Sequence, residues 1–430
     1  MHLSERLAQA DQLSRKHLHL PLISLIFWAA YCLLLIIHCI ENTSLIYQNL
    51  PWINGMYLLR NTLYVVLLIK AGFLTTYRAK HLWSILGVLL AAGLCVIFSG
   101  DFTFMEFAII AIAAKDISPR RLVKVFAVIK AAALVMTLML YSADILPTIY
   151  YENSTDANNT FGFCHRNVLG ANVYTLCLCW FYLRYQKLNK WDYISWAALS
   201  IATYLLADSR TTLLIMAITI ALFWALRAKE TMVLNWPHLR KALPAFFLGL
   251  FLVSLICTIF YKRYNEFWEF VDTIFTKRLR FAHQCYAEYG LSLFGARIDF
   301  VSTLQAQYDS EATRLILDNA YMRSLLYDGI IPCMILLAVY IRALVLGCKR
   351  KHGALIGTLL VMAVCGFSER FMLDVHYNFP LLVACITFFR CKKSADNATA
   401  YLPFEYAGEV LGKIRSCFKT TSPDTPEAEQ

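Results

Sequence analysis

The side chains of this chain that can do chemistry are arginines and carboxylates standing where apolar runs begin or end. Arg210 follows Asp208 and Ser209 at the head of one run. A basic knot, Lys277-Arg278-Leu279-Arg280, interrupts a long polar stretch, and Arg297 follows it. Asp318-Asn319 stand where the chain turns apolar again. A planar guanidinium matches phosphate oxygens two at a time, and a carboxylate beside it can take a proton from a sugar hydroxyl. His165, in Gly162-Phe163-Cys164-His165-Arg166-Asn167, is a second candidate base.

Each of these residues also has a plainer reading. Arg210 can pair locally with Asp208. Asp318 and Asn319 can cap the helix they precede, because short polar side chains accept from free helix N–H groups. His165 can belong to a cap as well, with Asn167 as N-cap of a run starting near Val168. Glu106 reads as a buried structural pair before a proton relay, and His376 as a bystander before a base. His283 stays undecided.

The elements that must position these groups are apolar. The chain has 430 residues, of which 59% are hydrophobic and 16% charged. A soluble domain carries roughly a quarter charged residues, so this composition marks a polytopic helical membrane protein. The net charge of +11 does not mark a nucleic-acid binder. Most Lys and Arg sit in short links between apolar runs, where topology accounts for them. The cysteines lie mostly inside apolar runs and show no zinc spacing. Cys164 and Cys285 are the two placed in links expected on the outer side, and a bridge between them is a weak alternative.

A span needs about 20 apolar residues, and about twelve runs between Leu20 and Phe389 qualify as long or short spans. The links at 77–81, 115–124, 184–190, 227–241, 347–352 and 390–393 are basic. Those at 41–55, 99–101 and 142–160 carry no Lys or Arg. The positive-inside rule then places both termini in the cytoplasm. The expected fold is all-α: a transmembrane bundle of about twelve spans, one integral domain over 1–393. A large extracytoplasmic loop, 261–320, joins spans nine and ten. Span ten is expected over Tyr321–Leu346. The tail, 394–430, reads as a disordered cytoplasmic segment. Seven basic and seven acidic residues between 261 and 316 balance, so the signal there is the clustering at 277–280 rather than total charge.

Taken together, the motifs resemble the superfamily of O-antigen ligases and O-antigen or capsular polysaccharide polymerases, across roughly 20–390 in span layout. Ser209-Arg210-Thr211-Thr212-Leu213-Leu214 is similar to its arginine, three residues, leucine signature. Phe161-Gly162-Phe163-Cys164-His165-Arg166-Asn167 resembles the Gly-Phe segment of the polymerases. Lys277-Arg278-Leu279 and Leu293-Phe294-Gly295 look like landmarks of the large outer loop. Asp318-Asn319, followed after nine residues by Gly329, is similar to the ligase motif but has Asp where ligases have His. That departure points to the polymerase branch.

The resemblance implies a metal-independent membrane glycosyltransferase with no cofactor, in the bacterial cytoplasmic (inner) membrane. Donor and acceptor would be glycans on undecaprenyl pyrophosphate, and a flippase and a chain-length regulator would be partners. Arg210, Arg278, Arg280 and Arg297, with Asn319, would hold the pyrophosphate. Asp318 would be the base, with His165 the second choice. Ligase-type transfer to another acceptor is the alternative within the family. A polysaccharide or lipid transporter is the rival from another class, although no repeat relates the two halves of the chain.

Overall fold

The computed structural model describes residues 21–48, 50–149, 160–274, 278–301, 314–389, 400–401 and 403. Lys277 and the tail 404–430 lie outside the described residues. The described chain is almost wholly helical, and a helix stands at each apolar run. They are α1 (Leu22–Glu41), α2 (Trp52–Phe73), α3 (Ala79–Ser99), α4 (Thr103–Ala113), α5 (Pro119–Ser142), α6 (Arg166–Arg184), α7 (Lys190–Ala207) and α8 (Arg210–Ala228). The short α9 (Glu230–Asn235) leads to α10 (Leu239–Phe260), and α11 (Glu266–Ile274) and α12 (Arg278–Tyr289) follow. The chain closes with α13 (Ala320–Arg323), α14 (Ile330–Lys349), α15 (Gly353–Cys365) and α16 (Phe379–Phe389).

Seven of these helices, α1, α2, α3, α5, α8, α10 and α14, are long and apolar enough to cross a membrane. Their ends follow from local chemistry. Pro119 opens α5, where its missing N–H costs nothing. Gly100 ends α3 in the left-handed conformation. Asn189 and Asp192 form a reciprocal capping box on α7. The shorter apolar helices sit centrally. Nearly every residue of α15 is buried, and α16 packs against α4, α5, α14 and α15. The long helices keep large apolar side chains such as Leu58, Ile97, Val128 and Leu205 exposed on their outer faces. An apolar surface of that extent fits lipid.

The links sort into two ends of the bundle. At one end the chain at 42–44 pairs with 162–164: Ser44 N–H donates to the Gly162 carbonyl and Cys164 N–H to that of Asn42. Arg166 reaches Asp208, Arg323 reaches Asp101 and Arg278 reaches Glu369, so five further links meet there. At the other end Arg227 bonds Gln186, Lys351 bonds Asn235, and Gly353 packs on the Tyr185 ring. A two-residue antiparallel pair joins Tyr77–Arg78 to Ala400–Tyr401.

The structure corrects one expectation. The run expected as one span over Tyr321–Leu346 is broken. α13 passes into a single π-helical turn over Ser324–Asp328, and α14 starts afresh beyond Gly329. The cause is a backbone crossing. Ile330 and Ile331 N–H donate to the carbonyls of Ser292 and Leu293, and Ala296 N–H to that of Tyr327. The free donors at the head of α14 are thereby satisfied by the loop. The crossing requires Gly295 and Gly329, both at positive φ. A Cβ on Gly295 would strike the Tyr327 carbonyl, and one on Gly329 the Gly295 nitrogen. Cys164 and Cys285, the two cysteines weighed for a bridge, form no disulfide. Cys285 is fully buried on α12.

Candidate functional site

The Arg278 side chain is the centre of the site, and four elements hold it there. Asp272, at the end of α11, accepts from the N–H groups of Leu279 and Arg280 at 2.9 and 3.1 Å. This carboxylate caps the first turn of α12 and fixes where Arg278 starts. His283 Nδ1 donates to the Thr258 carbonyl at 2.9 Å, tying α12 to α10. Asn319 is the N-cap of α13, its Oδ1 accepting from Met322 N–H at 3.0 Å. Its Nδ2 donates to Ser254 Oγ and to the Phe367 carbonyl, each at 3.1 Å. Asn319 thus pins both α10 and the 366–378 link against the residue before it, Asp318.

That residue is not the cap. Asp318 Oδ2 lies 3.3 Å from Arg278 Nε, and Glu369 Oε1 lies 3.2 Å from Arg278 Nη2. One guanidinium therefore joins two carboxylates from separate links. The third nitrogen, Nη1, is buried with no partner, as is Thr258 Oγ1. Both residues border a cavity of about 20 Å³, shared with Ser254, Asn319 and Phe367. That volume suits roughly one water molecule.

The electrostatics follow from burial and from this sharing. Burial pushes the Glu369 carboxyl up to about 7, the Asp318 charge adds to the rise, and Arg278 opposes it. Arg278 is penalised by burial, but Glu369 and Asp318 outweigh that and hold its charge more firmly than usual. Burial lowers the charge affinity of Arg314, with Asp318 opposing and Arg280 and Arg278 adding. Arg370 faces Glu369 as well. Four arginines thus surround two carboxylates at one end of the bundle.

The other sequence candidates take varied places. His165 is the N-cap of α6, and its Nδ1 accepts from Asn167 N–H at 3.1 Å. The capping reading is realised with the roles exchanged: His165 caps, and Asn167 donates. Burial, with Arg166, pushes His165 down to about 4, against the pull of Asp318. Arg210 is 80% exposed, its Nε 3.8 Å from Asp208 Oδ1, while Arg166 takes the other oxygen of Asp208 at 3.3 Å. Arg280 is exposed, with its guanidinium over the Phe281 ring. Arg297 is exposed beside Gly100, at the end of α3. The structure brings Asp318, Asn319, Arg278 and Glu369 into direct contact, and leaves Arg210 and Arg297 at the rim.

Glu369 is the member that sequence reasoning missed. It sits 91 positions from Arg278 in a short link of ordinary composition. Its one signal was a carboxylate beside Arg370 between two apolar runs, which does not name a partner.

A second polar cluster lies nearby, on the same 366–378 link. His376 Nε2 is 2.7 Å from Glu106 Oε1, and Tyr64 OH donates to the same oxygen. His38 stacks on His376 with centroids 3.8 Å apart and planes 10° off parallel. Arg60 binds Glu41 at 2.6 Å. Donor atoms of His38, Asp374 and His376 fall within 4.8 Å of one another. Imidazole binds a metal in its ring plane, however, and two stacked rings share no point in both planes. We therefore read the set as a hydrogen-bonded strut. The buried pairing expected for Glu106 is found here, while His376 is its partner rather than a bystander.

These apolar helices and the polar cluster at one of their ends define a multi-pass helical membrane protein. No family model, curated relative or solved structure matches the chain.

Proposed function

We propose that the chain polymerises lipid-linked oligosaccharide repeat units into a surface polysaccharide. The reaction is a metal-independent glycosyl transfer on the outer side of the bacterial cytoplasmic membrane, with both termini inside and about twelve passes. Donor and acceptor are glycans on undecaprenyl pyrophosphate. The observation that carries this reading is the guanidinium of Arg278, buried and flanked by Asp318 and Glu369, with Arg280, Arg314 and Arg370 around them. When a pyrophosphate departs, negative charge develops on its bridging oxygen. Fixed arginines near a membrane surface stabilise that charge without reorganising. Arg278 is the inner donor in this reading, and the exposed Arg314, Arg280, Arg210 and Arg297 are outer contacts for the diphosphate or its sugar. Asn319 positions Asp318 and the link rather than touching substrate. Asp318 stands next to the guanidinium, where an acceptor hydroxyl can meet it.

Reconstitution of the purified full chain with lipid-linked repeat units tests the proposal. A ladder of products carrying many repeats supports it. Transfer to a different acceptor identifies a ligase, and movement of unaltered units across the bilayer identifies a transporter. Either result overturns the polymerase reading.

A further inference from the structure

We infer that Glu369 receives the proton of the attacking acceptor hydroxyl, held for that task by the Arg278 guanidinium it shares with Asp318. The inference rests on the polymerase reading. In the step, the acceptor oxygen forms its bond to the anomeric carbon while the bond from that carbon to the pyrophosphate oxygen breaks. The electron pair leaves with the pyrophosphate, and the hydroxyl proton passes to a Glu369 oxygen. Glu369 later returns the proton to water.

The first argument is position. Asp318 and Glu369 flank one guanidinium, and their side chains keep 27% and 11% exposure, so both reach the surface at which a substrate arrives. The second is fixity. Ser368 and Glu369 N–H donate to the Cys365 carbonyl at 3.0 and 2.8 Å, and Asn319 holds the Phe367 carbonyl. The carboxylate is thus carried on a backbone turn closed onto the end of α15, whose position does not depend on the guanidinium.

The third argument is the direction of charge. With both carboxylates ionised, Arg278 is overmatched, and its buried Nη1 is its one unpartnered nitrogen. A diphosphate docking on the arginines adds negative charge beside Glu369 and favours its protonated form. Proton uptake by Glu369 in turn relieves Arg278 of one carboxylate and frees it for the leaving oxygen. Transfer of the proton and stabilisation of the leaving group therefore help each other. With burial already pushing Glu369 to about 7, the group exchanges protons where a base works best at neutral pH. His165 cannot serve in the same way. Its Nδ1 is committed to the cap, and it is held down near 4.

The test is polymer formation by the reconstituted full chain from roughly pH 5 to pH 9, a range wide enough to expose the limb of a base titrating near neutrality. In the parent protein the rate climbs with pH along a limb near 7. Glu369→Gln lowers the rate about 10²- to 10⁴-fold and abolishes the limb. Glu369→Asp keeps the charge with a shorter reach; its rate falls less and its limb moves. A Glu369→Gln protein within about threefold of the parent rate, or one that keeps the limb, overturns the inference. If Glu369→Gln does not fold, an unmoved limb in Glu369→Asp overturns it instead. A parent protein that makes no ladder at any pH is a different outcome and removes the polymerase reading itself.

Discussion

Two polar clusters share the 366–378 link, and they are built on opposite principles. In the first, one arginine is divided between Asp318 and Glu369, a guanidinium nitrogen lacks a partner, and further arginines stand around it. In the second, Glu106 accepts from both His376 and Tyr64, and Arg60 is matched to Glu41, although Arg60 Nε and His376 Nδ1 are likewise buried without a partner. The second is a strut: its carboxylates have found their donors. The first has one cation divided between two carboxylates. Buried charge held without full satisfaction is costly, and in the polymerase reading a docked diphosphate relieves the first cluster.

Removing Arg278 is expected to have the largest effect. Arg278→Ala leaves the buried Glu369 and the half-buried Asp318 as neighbouring carboxylates without their cation. We expect a stability loss of about 3–5 kcal/mol and a fall in turnover of at least about 10³-fold. Arg278→Lys is expected not to restore turnover, because an ammonium cannot bridge two carboxylates with a planar fork. Thermal unfolding and product ladders measure the two effects separately. Turnover within a few-fold of the parent would show that the first cluster is only a strut like the second.

Arg210→Ala probes the rim of the same cluster. The side chain is exposed and only loosely held at 3.8 Å from Asp208. Its loss is expected to leave stability unchanged, since exposed pairs contribute about 0–1 kcal/mol. In the polymerase reading it lowers turnover about tenfold, the equivalent of about 1.4 kcal/mol of transition-state stabilisation. A loss as large as that of Arg278→Ala would move the phosphate contact outward, to the head of α8.

His376→Ala sharpens the comparison from the other side. It removes the donor at 2.7 Å from Glu106 and the ring stacked on His38. A cost of about 1–3 kcal/mol in stability is expected for leaving a buried acceptor underused, with turnover at permissive temperature within about threefold. Loss of turnover in a folded His376→Ala protein would give the second cluster a part in the reaction.

What the sequence made legible is uneven, and for physical reasons. Apolar runs declare helices, and a helix stands at every run expected as a span. Three of the basic links, 184–190, 227–241 and 347–352, are bonded to one another at one end. The break at Gly329 was hidden, because the few polar residues of Tyr321–Leu346 do not by themselves end a span and the cause lies in a distant glycine, Gly295. Local motifs identified Arg278, Asp318 and Asn319 but not their geometry. Arg278 and Asp318 were expected at opposite ends of one reaction, yet they are paired at 3.3 Å. Asn319 turned out to be the cap that frees Asp318 for that pairing. Glu369 and the His376–Glu106 pair were illegible as partners, since no period or motif links residues so far apart in the chain.

The smallest effect at neutral pH is expected from His165→Asn, and it separates a cap from a base. Asparagine also caps helices, so the variant keeps the bond to Asn167 N–H and its stability at pH 7. What changes is the slope with pH. His165 resists protonation until about 4 when folded, whereas the unfolded chain accepts that proton near 6.5. The unfolded state therefore binds more protons between those values, and stability is lost as pH falls from about 6.5 to 4. The contribution is on the order of 3 kcal/mol. Glu369 works in the opposite sense. Its folded form binds a proton up to about 7 and its unfolded form only to about 4.5, so its contribution is lost as pH rises through that window. Unfolding measured at intervals between about pH 4 and pH 8 should give His165→Asn a flatter acid side and Glu369→Gln a flatter neutral side. A His165→Asn protein that keeps the parent's acid slope but loses turnover would make the imidazole a participant in the chemistry and the cap incidental.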